Sequence, residues 1–209
     1  MAGITNVYYS FLKYLKGNDR KIATLQLTGR IEDFFVKEFV YYFTRFSKGK
    51  SFALVNIGNK KQQKIDLCLI KGNSIEKAEV FGMIEAKYLR NIHRLWLDAD
   101  ATDEIGTVLD DLHRQLHTFE KTSHGGHNVN LFSKTRDIYG LVFASYVSKQ
   151  KNDSGKKEFY SYILEKASDK FRYHDLPKPY FRPVFDDVQI SVLNTTFYVT
   201  LKAGLWKRK

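Results

Sequence analysis

A single cysteine, Cys68, stands in a chain of 209 residues, with three prolines, two methionines and two tryptophans. One thiol excludes a disulfide framework and any multi-cysteine zinc or iron–sulfur site, and a reducing, cytoplasmic setting is its simplest context. So few prolines, with no low-complexity tract, argue against a Pro-rich linker or long disorder. Apolar runs are short and interrupted, so no transmembrane helix and no membrane partner are expected. The opening MAGITNVYYSFLKYLKG has no basic stretch followed by an apolar one, so no signal peptide is read. No internal repeat is visible. Acidic residues are also scarce: 23 Asp and Glu face 34 Lys and Arg, a net charge of +11. That excess points to a polyanionic partner, DNA or RNA before an anionic membrane.

What is plentiful is apolar and aromatic, 43% and 15% of the chain, enough for one core and a single domain over 1–209. Tyr8, Tyr9, Phe11, Leu12, Tyr14 and Leu15 predict a short aromatic helix over 4–16, broken at Gly17-Asn18-Asp19. A stronger helix is expected over 30–47, where Ile31, Phe34, Phe35, Phe39, Tyr42, Phe43 and Phe46 share one broad face. The pattern then turns to strands: 51–57, 64–70 and a mostly apolar 78–88. Ile105, Val108, Leu109, Leu112, Leu116 and Phe119 give a helix over 103–119. A polar loop at 121–130 precedes a buried strand at 138–147. Residues 158–171 read as a strand followed by a short helical piece, and 172–185 as irregular. The chain closes with a hairpin over 188–203, turning at Asn194-Thr195. The fold class is therefore mixed α/β, with an α-β-β-β-α-β core over about 30–147 and a β-rich C-terminal extension.

Chemistry concentrates on two of these strands. Phe81, Met83, Glu85 and Lys87 share one face of the third strand, so a carboxylate and an ammonium end an apolar row. On the second strand Asp66 shares a face with Cys68 and Ile70. An antiparallel pairing in which facing residues sum to 151 sets Asp66 opposite Glu85, Cys68 opposite Met83 and Ile70 opposite Phe81. Two facing carboxylates repel, and a hard divalent cation with oxygen ligands removes the repulsion. Such an ion activates water and polarises a phosphodiester, while Lys87 can stabilise developing charge.

Asp66, eighteen intervening residues and then Glu85-Ala86-Lys87 resemble the PD-(D/E)XK motif of restriction-endonuclease-like nucleases. The order of elements over about 30–147 resembles that superfamily's core. The name's proline is replaced here by Ile65. The resemblance implies that Asp66 and Glu85 bind the metal, that the Ala86 carbonyl adds a ligand and that Lys87 assists catalysis. It implies Mg²⁺, with Mn²⁺ able to substitute, and DNA as substrate. A restriction-type endonuclease cutting duplex DNA is the first expectation, as a possible homodimer. A repair or recombination nuclease, or a non-catalytic nucleic-acid-binding protein keeping the fold, are the alternatives.

Many family members add a glutamate from the first core helix. Glu38 lies inside the apolar face of helix 30–47, where a lone carboxylate is costly unless paired or metal-bound; Glu32 and Asp33 lie at its edge or outside. Gln115 flanks the apolar stripe of helix 103–119 and is a polar candidate near the metal. His113 and His117 have the spacing of a zinc pair on one helix face, but no third ligand accompanies them. Residues 123–128 read as an exposed loop, and Cys68 as a small core residue. Lys178, Tyr180 and Arg182 belong to an interleaved basic and aromatic segment suited to phosphates and bases.

Overall fold

Gly17 closes the first helix by donating its N–H to the Lys13 carbonyl, and Asn18 donates to Leu15. Helix α1 (Ile4–Lys16) is thus separated from α2 (Asp19–Thr28) by two residues. There follow α3 (Glu32–Phe46), β1 (Ser51–Gly58), β2 (Lys64–Lys71), β3 (Glu79–Arg90), α4 (Ala101–Lys121), β4 (Ile138–Ser148), α5 (Gly155–Ala167), β5 (Phe171–Tyr173), β6 (Arg182–Val192) and β7 (Thr195–Arg208). The computed structural model describes residues 4–28, 31–47, 51–58, 64–72, 79–91, 101–121 and 138–209; the loop expected at 121–130 lies almost wholly outside them.

The strands form one mixed sheet in the order β1-β2-β3-β4-β7-β5, with β6 also paired to β7. Only β3 and β4 run parallel, as a crossover through α4 requires; the other pairs are antiparallel. Phe143 of β4 stacks on Phe35 of α3 with ring centroids 4.0 Å apart and meets Phe11 of α1 edge-on, so α1 and α3 cover one face. Gln26 of α2 reaches the same face, where Ser145 Oγ donates to its Oε1 at 2.6 Å. Leu112 of α4 lies over Gly140, and Tyr146 packs on Phe159 of α5, both on the opposite face. The protein is a mixed α/β, three-layer assembly, with the sheet between two sets of helices.

Four expectations are corrected. Asp19–Thr28 is helical, where no element is predicted; its buried side chains are only Ile22, Ala23 and Gln26, a weak apolar signal. Residues 155–167 form a helix, with Phe159, Tyr160, Ile163 and Ala167 buried at helical spacing. The final turn falls at Leu193-Asn194, closed by Val192 opposite Thr195. Lastly, β7 is no appendage, because it pairs with β4 along Tyr139–Ser148 and carries β5 and β6 on its other edge.

Candidate active site at a fork in the sheet

The β2–β3 register follows the expected sum at Leu67–Ile84, Cys68–Met83 and Leu69–Gly82. A bulge then shifts it, so Ile70 faces Val80 and not Phe81. Toward the other end the paired ladder stops at Leu67–Ile84, whereas β3 continues to Arg90 with only β4 beside it among the described residues. The sheet forks there, leaving donors on the vacated edge of β3. Side chains cap them: the Ala86 N–H donates to Asp66 Oδ2 at 2.7 Å and the Tyr88 N–H to Glu32 Oε2 at 2.9 Å. The fork thus gathers carboxylates from β2 and α3, because a buried N–H left without a strand requires an acceptor.

Glu85 stands between them, only 3% exposed. Its Oε2 accepts the Asp66 N–H at 3.3 Å and its Oε1 pairs with Lys87 Nζ at 3.1 Å. Beside it on the α4 face lies an apolar floor of Ile65, Cys68, Ile70, Val80 and Met83. Burial, then the neighbouring Asp66, raises the Glu85 carboxyl to about 7. Asp66 is also raised, by burial against the opposing Ala86 N–H and Lys87, and Glu32 likewise against Lys87 and the Tyr88 N–H. Burial pulls the Lys87 ammonium down, but Glu85, Glu32 and Asp66 outweigh it and hold it above its ordinary value. Among the described residues one cation, Lys87, therefore serves three acids, of which Glu85 is buried and Asp66 and Glu32 are half-buried.

The donor set fits a hard divalent ion. Among the described residues no three His, Cys, Asp or Glu side chains form a ready cage. Mg²⁺ needs none, since it keeps several waters and takes one or two carboxylates. In an extended strand a residue's N–H and C=O point to the same edge, so the Ala86 carbonyl faces the fork with its amide. His113 leans on Phe171 at the far edge of the sheet, with centroids 5.7 Å apart. Gln115 lies about 160° around the helix from it. Its Oε1 is buried without a hydrogen-bond partner among the described residues.

The other expected site residues are placed elsewhere. Glu38 is not at the fork: it accepts the Tyr14 hydroxyl of α1 and lies 3.8 Å from Lys21 of α2. The glutamate that α3 sends to the site is Glu32, which a helical wheel alone sets at the edge; its position at the first residue of α3 is the signal that finds it. Arg182 is also turned away. It pairs with Ala203 and rests on the Tyr9 ring at 4.3 Å, on the face opposite Glu85. Its guanidinium donates to the hydroxyls of Tyr9 and Tyr173, so it clasps α1 to the sheet. Lys178 and Tyr180 are exposed in the adjoining segment, where the Tyr180 carbonyl accepts Trp206 Nε1–H at 3.0 Å. Cys68 is buried and its thiol is pushed up to about 12, which suits packing and not reactivity. No helix of the described residues is long and apolar enough to cross a membrane. Comparison of the chain with protein-family models, curated proteins and solved structures finds no match to any.

Proposed function

We propose that the protein is a Mg²⁺-dependent nuclease that hydrolyses phosphodiester bonds of DNA, with a restriction-endonuclease-like core formed by α3, β1, β2, β3, α4 and β4. One observation carries the reading: the fork holds Asp66, Glu85 and Glu32 together around one cation among the described residues, Lys87, in a chain with a net charge of +11. Buried acids in excess of their counter-ions attract a divalent cation, while the surplus of basic residues attracts a polyanion. The antiparallel β1-β2-β3 meander followed by a helical crossover to parallel β4 supports the likeness in fold.

In this reading Asp66, Glu85 and the Ala86 carbonyl would hold the ion, and Glu32 and Gln115 would orient its water. When bound, the metal supplies a more acidic water and a polarised phosphate oxygen. Lys87 sits on the same face as Glu85 and places its ammonium where charge grows on the phosphate, which is electrostatic stabilisation of the transition state. Its raised pKa keeps that charge through neutral pH. Cutting duplex DNA in the manner of a restriction enzyme, as a homodimer, is the form of the activity we favour.

The direct test is nicking of supercoiled plasmid in Mg²⁺, repeated in Mn²⁺ and in EDTA. Wild-type protein is expected to nick in both metals and not in EDTA, and Asp66→Ala is expected to be inactive with DNA binding retained. Binding of DNA without metal-dependent nicking by wild type would instead favour a non-catalytic nucleic-acid-binding protein. A second comparison separates the two α3 glutamates. Glu32→Gln is expected to slow nicking roughly 10- to 100-fold, the usual effect of losing a group that orients a metal's ligands. Glu38→Gln is expected to cut at the wild-type rate. The reverse ranking would return Glu38 to the site.

A further inference from the structure

We propose that the β6–β7 hairpin is a wedge that inserts Leu193 between base pairs of duplex DNA, away from the bond being cut. The inference rests on the DNA reading above and adds a second point of contact to it.

Leu193 is anomalous in two independent ways. It is 94% exposed, far beyond any other large apolar side chain among the described residues, and Val192 beside it is 41% exposed. It also sits at φ 47°, with Asn194 at φ 61°. Positive φ at both central residues of a two-residue hairpin is the pattern that selects Asn, Asp or Gly. A branched apolar residue at the first of these positions is strained, and folding gains nothing from its side chain in water. An apolar side chain at the tip of a rigid ribbon is the form minor-groove wedges take, where Leu, Ile, Phe, Met or Pro unstacks a base step and kinks the duplex.

Placement agrees. The fork opens toward the C-terminal ends of β3 and β4, and β7 runs antiparallel to β4, so the hairpin tip lies beyond the carboxylate row in the direction in which the fork opens. Lys87 lies in a row with Val142 and Gly204, and Thr195 precedes Gly204 by nine residues on β7. At ordinary strand rise this is about 30 Å, close to one helical turn of B-DNA. Cations flank the tip on both sides. Exposed Lys149 and Lys151 follow β4, whose Ser148 pairs with Tyr198, and Arg20 of α2 borders a hollow with Gln189, Ile190 and Ser191. The acidic Asp186 and Asp187 further down β6 are engaged by Lys156.

The experiment compares full-length wild type with Leu193→Asn on duplex DNA. Asn suits the turn, so the variant is expected to fold with an equal or higher thermal midpoint. Duplexes carry 2-aminopurine at successive positions, with end-labelled copies for bending by energy transfer, in Ca²⁺ to suppress cutting. Wild type is expected to raise 2-aminopurine fluorescence at one step and to shorten the end-to-end distance. Leu193→Asn is expected to lose both signals and to bind roughly tenfold more weakly, as withdrawal of one leucine from burial implies. Equal unstacking and bending by the variant overturns the wedge, as does a shift from dimer to monomer on sedimentation, which would assign Leu193 to a second copy of the chain. Wild type that binds and nicks DNA without unstacking it sinks the wedge alone, whereas wild type that neither binds nor nicks sinks the nuclease reading with it.

Discussion

Glu85→Gln is expected to abolish Mg²⁺-dependent nicking and, in the same molecule, to make the metal-free protein more stable at pH 8. The loss of activity follows from removing a metal-holding carboxylate, with a cost of several kcal/mol in the transition state and a fall of at least about a thousandfold. The gain in stability follows from linkage. Burial, with Asp66 adding to it, raises the Glu85 carboxyl to about 7 in the folded protein. Below the ordinary glutamate range both folded and unfolded chains hold the proton, so the amide changes little at pH 4. As pH climbs toward 7 the unfolded chain sheds its proton first, which pulls the equilibrium toward unfolding. The wild type therefore loses about 2–3 kcal/mol across that window, the order that such a shift implies, and Gln escapes the loss. Urea melts of both proteins at pH 4 and pH 8, with and without Mg²⁺, read all of this. Mg²⁺ is expected to restore wild-type stability at pH 8 and to leave the variant unchanged. A variant less stable than wild type at pH 8 without metal would mean that Glu85 is held chiefly by its bond to Lys87.

Gly204→Ala is expected to cost more stability than any single change at the carboxylates. A Cβ at this position would stand 2.8 Å from the Tyr180 carbonyl oxygen and closer still to Trp206 Nε1. Those two atoms are the partners of one hydrogen bond, so the methyl group displaces the acceptor, the donor or both. Trp206 is fully buried and packs on Phe181 and Phe171, which leaves its indole nowhere to retreat. Overpacking and a lost buried hydrogen bond together amount to about 3 kcal/mol, or a thermal midpoint lower by roughly 6–12 °C in a chain of this size. Because Gly204 pairs with Val142, and Val142 with Lys87, nicking at low temperature is expected to fall as well. Thermal melts and single-turnover nicking at 10 °C test the two parts. A midpoint unchanged within a degree would mean that the Tyr180 loop yields freely.

The arrangement of the candidate site is legible in the sequence to the extent that alternation and pairing are local. Asp66, Glu85, Ala86 and Lys87 come together because the apolar residues around them, Cys68, Met83, Leu67 and Ile84, force the register. The bulge near Phe81 escaped because nothing in an apolar run marks where a strand slips by one. The α3 glutamate is hidden for a different reason. A wheel reports which side of a helix a residue occupies, not what its neighbours offer. Glu38 faces inward because Tyr14 and Lys21 receive it, and Lys21 belongs to a helix the pattern did not reveal. Gln26 hides α2 from any apolar count, since its burial depends on Ser145, far away in the chain. Helix α5 resembles a strand in sequence because Phe159, Tyr160, Tyr162 and Ile163 are residues that strands favour, and only the i, i+4, i+8 burial of Phe159, Ile163 and Ala167 separates the two. The role of β7 was out of reach, because pairing a C-terminal strand with β4 is a decision of the whole sheet.

The forked strand also makes the protein its own titration probe. The Ala86 and Tyr88 amides are held by side-chain carboxylates and not by a neighbouring strand. A carboxylate weakens as an acceptor when it gains a proton, whereas a backbone carbonyl does not. Solvent deuterium should therefore reach these two amides sooner on acidification, relative to the intrinsic rate, while the Met83 and Ile84 amides within the intact ladder keep pace with the rest of the sheet. Two positions in an exchange map would then report the charge state of the fork with no substrate present, and the same pair would register how an added cation redistributes Asp66 and Glu32.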